Sequence, residues 1–310
     1  MTGAVKGTCA ITGATGFLGS YLAEKMKESG WTVRRLQRKR EEVKKTDDDI
    51  VYFSMGEKLH PDCLAHVDLL IHCGYDFNCT SWQQINAING TGTKLLFEAA
   101  KAANVGKIVF VSSMHAFEGC QTMYGRAKLF SEKDAFDHGA IVLRPGTIYR
   151  EQDGKLFGGQ GGKTLQLFEK LFQMTPVMLI PYSKKPTIYT SHIEDIYHLI
   201  EESVTTNIAS DKPICAVNKE PLTLKEFLSI IRDRHGKNTM LFIPVPWRVV
   251  WFLLLLLEKV KLKLPFRSEA ILIFFDQNPN PDFSALDRFK TKIRPFEQLQ
   301  PKPAGGLVTG

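Results

Sequence analysis

The sequence predicts an α/β protein, a doubly wound parallel sheet followed by a smaller, mostly helical substrate domain. Three observations predict it. Short, almost wholly apolar runs alternate with amphipathic stretches through the first half, as in strands buried on both faces by crossover helices. A glycine-rich turn stands between the first such run and the first helical stretch. After Pro145 the alternation gives way to a less regular pattern.

Taken in order, Gly7 to Thr12 reads as a short buried strand, Phe17 to Ser29 as an amphipathic helix and Thr32 to Gln37 as a second strand. Asp49 to Ser54 is the third strand, and Val67 to Cys73 (VDLLIHC), nearly all apolar, is the fourth. Trp82 to Ala103 reads as a long helix that stops before Asn104. Lys107 to Ser112 is the fifth strand, Thr122 to Asp137 a helix and Ala140 to Arg144 the sixth strand. Beyond Pro145, the run EQDGKLFGGQGGK from Glu151 to Lys163 is rich in glycine and charge and reads as a mobile loop. Thr164 to Met174 looks helical, Thr187 to Ile200 holds a short strand and then a helix that starts at His192–Asp195, and Pro213 to Val217 is one more strand. From Leu222 onward the pattern is mainly helical, and Pro301 to Gly310 reads as a frayed tail. The expected division is a nucleotide domain of residues 1–150 plus about 187–218, and a substrate cap of about 151–186 and 219–300.

Composition narrows the classes. In 310 residues, 44% are hydrophobic and 24% charged. That excludes a disordered chain, a collagen-like repeat and a disulfide mini-scaffold. The net charge of +7 permits a phosphorylated ligand, an acidic membrane or nucleic acid. No basic stripe interleaved with aromatics marks a nucleic-acid reader. No signal peptide is read at the N-terminus. The six cysteines (Cys9, Cys63, Cys73, Cys79, Cys120 and Cys215) form no CxxC pair, so the expectation is reduced, mostly buried thiols in a cytoplasmic protein and no metal site. The dense apolar run Val249 to Leu257 is short for a membrane span, which needs roughly 18 to 20 apolar residues. It reads as a buried helix, or as a helix lying on an anionic membrane beside Lys259, Lys261 and Lys263.

The strongest motif is Thr12-Gly-Ala-Thr-Gly-Phe-Leu-Gly19 between strand and helix. Gly13 permits the tight turn, Gly16 lets backbone approach a pyrophosphate, and Gly19 lets helix pack on sheet. The helix start then offers unpaired N–H groups to phosphate. At the end of the second strand, Gln37 stands where an acid would hold a free ribose 2′-hydroxyl, and Arg38 follows. A guanidinium there suits a 2′-phosphate, so NADP is favoured, with NAD as the alternative. At least one of Arg34 and Arg35 is expected to be simply solvated. Tyr124-Gly-Arg-Ala-Lys128 puts a phenol and an ammonium on one helix face. The ammonium would pull the phenol toward the working pH range and make Tyr124 a general acid/base. Ser112-Ser113 closes the fifth strand, where a hydroxyl can hydrogen-bond a substrate oxygen.

TGATGFLG, VDLLIHCG, Asn89-x-x-Gly92-Thr93, VFVSS, YGRAK and LRPGTIY occur in this order. Together they resemble an extended short-chain dehydrogenase/reductase of the NAD-dependent epimerase/dehydratase group, with its Rossmann-like sheet. The resemblance is firm over about residues 7 to 200. It implies a catalytic Ser113, Tyr124 and Lys128, with Lys128 also on the nicotinamide ribose. It implies pyrophosphate binding by Gly13, Thr15, Gly16, Phe17 and Leu18, with Gly19 behind them, and Arg38 on the 2′-phosphate. Cys73, Gly74 and Tyr75 would line the adenosine and ribose side, and Pro145 the nicotinamide amide. Counting from the Asn104-Val105 turn selects Ser113 over Ser112. Met114 and His115 stand where sugar-nucleotide dehydratases carry an acid pair, which argues against that reaction. His115, with Met114, is expected toward the substrate, and Asp195 is expected to be structural. The implied activity is an NADP-dependent oxidoreductase acting at a carbinol or carbonyl carbon of a small-molecule substrate. A nucleotide-sugar epimerase with retained cofactor and a non-catalytic NADP sensor are the alternatives. A homodimer and peripheral membrane contact through Val249–Leu257 are the expected associations.

Overall fold

The computed structural model describes residues 6–38, 49–159, 164–182, 185, 187–206, 208, 211–234, 241–259, 272 and 274–298. Six strands, β1 (Gly7–Thr12), β2 (Trp31–Gln37), β3 (Asp49–Tyr52), β4 (Leu69–His72), β5 (Lys107–Val111) and β6 (Ile141–Leu143), form one sheet in the order β3-β2-β1-β4-β5-β6. Every pairing in it is parallel. The order reverses between β1 and β4, which opens a crevice at the carboxyl ends of those strands.

Alternation along the strands splits the core in two. Cys9 and Ile11 of β1 face one apolar cluster with Leu18 and Leu22 of helix α1 (Phe17–Glu28). Ala10 faces the other, with Leu96 and Phe97 of α3 (Gly92–Ala102). The long helix expected over Trp82 to Ala103 is a short α2 (Trp82–Ile85), a π-turn over Asn86–Thr91, and α3. It ends at Asn104, which takes a left-handed φ of 56°, a conformation asparagine tolerates. Helix α4 (Met123–Asp137) follows β5 and starts on Thr122, whose hydroxyl accepts from the Gly125 N–H.

Past Pro145 one expectation needs correction. The segment read as a loop from Glu151 is instead a hairpin of β7 (Thr147–Gln152) and β8 (Lys155–Gly158). Its turn is Asp153-Gly154, both at positive φ, the dipeptide that tight hairpins favour. Residues 160–163 of the same run lie outside the described residues. Helix α5 (Thr164–Met174) then leads to β9 (Val177–Tyr182). Next, β10 (Thr190–His192) pairs with β7 and runs into α6 (Ile193–Thr205). The expected strand at 213–217 meets β6 at a single bridge, Ile214 with Leu143. Helices α7 (Leu224–Arg234) and α8 (Trp247–Lys259) occupy the later region, but β11 (Leu241–Pro246) stands between them and pairs with β9. Asp195 is buried and its carboxylate accepts from the backbone N–H and guanidinium of Arg294, a structural clamp.

Candidate active site

The crevice between β1 and β4 is lined by the glycine-rich turn. Gly13 sits at φ +65°, which L side chains rarely adopt. A Cβ on Gly19 would come within 2.3 Å of the Gly13 carbonyl oxygen, so only glycine lets α1 approach the turn. Gly16 is the N-cap of α1 and makes no side-chain cap bond, and the first turn carries no acid. The helix start therefore presents donors and a positive dipole end to an anion. Thr15 and Phe17 flank Gly16, while Leu18 is buried in the core below.

The arginines of β2 depart from expectation, since neither Arg34 nor Arg35 is merely solvated. Arg34 is ion-paired with Asp49 at 2.5 Å and donates to the carbonyls of Cys63 and Ala65, because β2 and β3 bring it over the loop after β3. The Arg35 Nη1 donates to the Ala14 carbonyl at 3.2 Å, which lays a cation on the glycine turn. Arg38 is 62% exposed, with Nη1 3.9 Å from Asp76 Oδ2. A cradle that a Cβ would fill, an uncapped helix start and two guanidinium groups along the adjoining strand suit a phosphorylated dinucleotide.

Beneath the turn lies a network that the motifs did not flag. Thr12 Oγ1 accepts from the Gly74 N–H at 3.0 Å and lies 2.6 Å from His72 Nδ1. Because Thr93 spends its own proton on the Asn89 carbonyl, the neutral His72 ring carries its proton on Nε2 and its Nδ1 accepts from the Thr12 hydroxyl. His72 Nε2–H then donates to Thr93 Oγ1 at 3.0 Å, and Thr93 donates to the Asn89 carbonyl at 2.6 Å. Burial takes the His72 pKa down to about 3, helped by the nearby Lys128 charge, so the ring is neutral. The Asn89 amide accepts from the Asp76 N–H and donates to the Asp76 carbonyl. Asn89 and Thr93 thus fix the loop after β4, and Gly74 within it. The signal was in the register: Thr12 and His72 are direct partners across β1 and β4, two polar residues inside apolar strands. Cys73 lies beside them, and burial pushes its thiol up to about 12.

At the end of β5 the two serines separate. Ser112 Oγ donates to Glu132 Oε1 at 2.5 Å, and Glu132 also takes Arg144 Nε at 2.8 Å and Nη2 at 2.5 Å. Ser112 is thus held in a buried polar cluster. Ser113, also buried, hydrogen-bonds the Tyr124 hydroxyl. Tyr124 lies edge-on to Tyr75 at 5.0 Å between centroids, with Phe77 at 5.9 Å and His115 at 6.1 Å. Lys128 Nζ donates to the Val111 carbonyl at 2.8 Å and faces the Tyr75 ring at 5.3 Å. Burial lowers the Lys128 pKa to about 8, opposed by Cys73 and Glu132. The expectation of a depressed Tyr124 phenol does not hold in this arrangement. Burial raises its pKa, and the Ser113 hydrogen bond opposes the rise only in part. The ammonium is engaged with Val111 and does not offset the burial.

Around this group, Tyr75 reaches the phenol rather than standing apart from it. The Pro145 carbonyl accepts from the Met114 N–H. Met114 packs in a small cluster with Tyr189, Cys215 and Val217. His115 is buried, and its pKa falls to about 4 through burial. Sequence reasoning missed two residues here. Gln277 Nε2 lies 3.4 Å from the His115 ring nitrogens, and Asp276 Oδ2 accepts from the N–H groups of Gln121 and Thr122. All six cysteines are free thiols. Among the described residues, no three His, Cys, Asp or Glu side chains gather as a metal site. None of their helices is long and apolar enough to cross a membrane.

The model of the NAD dependent epimerase/dehydratase family matches residues 9–152. A ceramide reductase of Caulobacter vibrioides is 31% identical over 197 residues, which is 61% of this chain and 58% of that protein. The chain therefore spans less than two thirds of that relative. A sterol-4-alpha-carboxylate 3-dehydrogenase, decarboxylating, of Mus musculus is 30% identical over 260 residues, 72% of this chain and 67% of that protein. Among solved structures, MoeE5 in complex with UDP-glucose and NAD superposes with a TM-score of 0.60 at 18% identity, covering 77% of this chain and 85% of its own.

Proposed function

Because the chain belongs to the NAD-dependent epimerase/dehydratase family, we propose that it is an NADP-dependent oxidoreductase that reduces a carbonyl carbon of a lipid substrate, or oxidises the matching carbinol. The observation that carries this reading is the grouping of Ser113, Tyr124 and Lys128 at the carboxyl end of β5, beside the glycine turn. The lipid class is supported by the two relatives, named for ceramide and sterol chemistry. It also accords with the rings of Tyr75 and Phe77 around Tyr124.

In this reading Gly13, Thr15, Gly16, Phe17 and Leu18 form the pyrophosphate turn, and Gly19 keeps α1 against it. Arg38 holds the 2′-phosphate, with Arg35 adding charge at the turn. Cys73, Gly74 and Tyr75 line the cofactor's ribose side, and Pro145 its amide. When bound there, such a cofactor would supply or accept the hydride at the reacting carbon. Ser113 donates a hydrogen bond to the substrate oxygen and stabilises the charge that grows there. Tyr124 gives its proton to that oxygen on reduction and takes it back on oxidation. A phenol whose pKa is raised by burial keeps that proton at neutral pH, which supports the reducing direction. Lys128, held on the Val111 carbonyl, would offer a donor to the nicotinamide ribose. His115 and Gln277 present polar atoms beside Tyr124. Residues 1–150 with about 187–218 form the nucleotide domain, and about 151–186 and 219–300 the cap.

The test is turnover by Tyr124→Phe with a long-chain ketone, a sterol ketone and UDP-glucose as probes. Loss of about 10²–10⁴-fold is expected, with NADPH binding kept. Net NADPH consumption by the wild type marks a reductase. Product formation from UDP-glucose without consumption would replace this reading with an epimerase, and unchanged activity in the variant would overturn the role of Tyr124.

A further inference from the structure

The two-stranded sheet of β9 and β11 is apolar on both faces. Met178, Ile180 and Phe242 join an internal core with Phe172, Phe227 and Ile231. The alternate residues point outward, and the register pairs Leu241 with Val177 and Ile243 with Leu179. All four are exposed, Leu179 at 67% and Leu241 at 59%. Helix α8 packs beside both strands. It exposes Val249, Phe252, Leu253, Leu256 and Leu257, a recurrence of three and four residues that marks one helix face. Exposed apolar residues gathered on two packed elements of a globular protein mark an interaction site.

Charge selects the occupant. No acidic residue occurs in Val177–Tyr182 or Leu241–Leu257, and Arg248 is exposed. The sequence then runs Lys259, Lys261, Lys263 and Arg267 against the single acid Glu258. A second copy of this chain would set the exposed Arg248 and an equally acid-free face against their like across a two-fold interface. An anionic lipid surface complements them.

The surface is joined to the catalytic helix. Trp247, the first residue of α8, stacks on Phe275 at 5.4 Å with 14° between planes. The next residue, Asp276, accepts from the N–H groups of Gln121 and Thr122 just before α4, and Gln277 reaches His115. We propose that the outward face of α8, β9 and β11 docks on an anionic lipid membrane. In the sense that a membrane-borne substrate gives this contact its use, the inference rests on the lipid-oxidoreductase reading.

The experiment is flotation of the purified full chain with vesicles of phosphatidylcholine alone and of phosphatidylcholine with phosphatidylglycerol. Flotation is expected with the anionic vesicles and should fall as salt is raised. Leu253→Glu with Leu256→Glu should cut partition by about tenfold or more. Leu179→Glu, on the separate β9 face, should weaken it too, and both variants should keep wild-type NADPH affinity as the check on folding. Absence of flotation, flotation of both variants equal to wild type, or a wild-type dimer that the double variant dissociates and that does not float would each overturn the proposal. Flotation needs no turnover, so its failure leaves the hydride-transfer reading standing, and a failure of the Tyr124→Phe test leaves the docking surface standing.

Discussion

Glu132→Gln tests the buried cluster that holds the end of β5. The Glu132 carboxylate receives Arg144 through two hydrogen bonds and Ser112 through a third, and the two charged side chains are 4% and 13% exposed. At that burial, solvent screens the pair little. Removing one charge leaves the Arg144 guanidinium without a counter-ion, which costs about 3–5 kcal/mol. The whole fold is worth about 5–15 kcal/mol, so the loss is a large share. With a urea slope of about 3 kcal/mol per molar, the unfolding midpoint falls by roughly 1 M or more. Arg144→Met should cost a similar amount, because it strands the carboxylate instead. The double variant, with both charges gone, should be less destabilised than the sum of the singles by about 2 kcal/mol. Urea unfolding followed by tryptophan fluorescence measures all four proteins. A single-variant loss below about 1 kcal/mol, or strict additivity, would refute the account of a buried, mutually dependent pair.

Three further outcomes are expected. Arg38→Glu should weaken NADPH binding about ten- to a hundredfold by removing a charge-assisted contact, with NADH binding little changed, read by fluorescence titration. Equal loss for both cofactors would remove Arg38 from the 2′-phosphate. The Lys128 pKa, lowered from 10.5 to about 8, should make kcat/KM decline above about pH 8 as the ammonium is lost. The same shift makes the unfolded chain hold more protons between about 8 and 10.5, so this group's contribution to stability rises with pH across that window. A pH–rate profile flat to pH 10 would contradict it. Gly19→Ala should abolish cofactor binding in a dialysis assay, because its Cβ cannot lie 2.3 Å from the Gly13 oxygen without shifting the turn. Wild-type affinity would show that the turn moves freely.

The sheet was legible because each buried strand carries its signature locally. GTCAIT, LLIH and KIVFV are apolar runs bounded by turns, and glycine at 13, 16 and 19 has a local steric reason. That Tyr124 and Lys128 share a helix face was legible from their spacing of four, whereas the choice of Ser113 at the end of β5 came from the family resemblance. The Asp153-Gly154 hairpin was missed although its signal stood in the sequence, since the glycines after it favoured a loop. Strand β11 was missed because Pro244 and Pro246 argue against a strand, and its pairing to β9 is a long-range contact. The Tyr124 environment could not be read at all. A helical spacing of four predicts that Lys128 lowers the phenol, but only the packing shows Tyr75 and Val111 taking up the ammonium.

Helix α4, which carries Tyr124 and Lys128, is fixed at two separate points. Its N-terminal approach is held by Asp276, which arrives from the far end of the chain. Its third turn is held by Glu132 on Ser112 and Arg144, from β5 and the end of β6. Tyr124 and Lys128 lie between these anchors. The second anchor is buried between α4 and the ends of β5 and β6. The first is continuous with Phe275 and Trp247, and so with the exposed apolar face of α8. The first anchor thus gives that face a contact route to the start of α4 through Phe275 and Asp276, while the Glu132 cluster makes its contacts with the ends of β5 and β6. Asp276→Asn accordingly should alter the turnover of Tyr124 while leaving the urea midpoint close to wild type, the reverse of the pattern expected for Glu132→Gln.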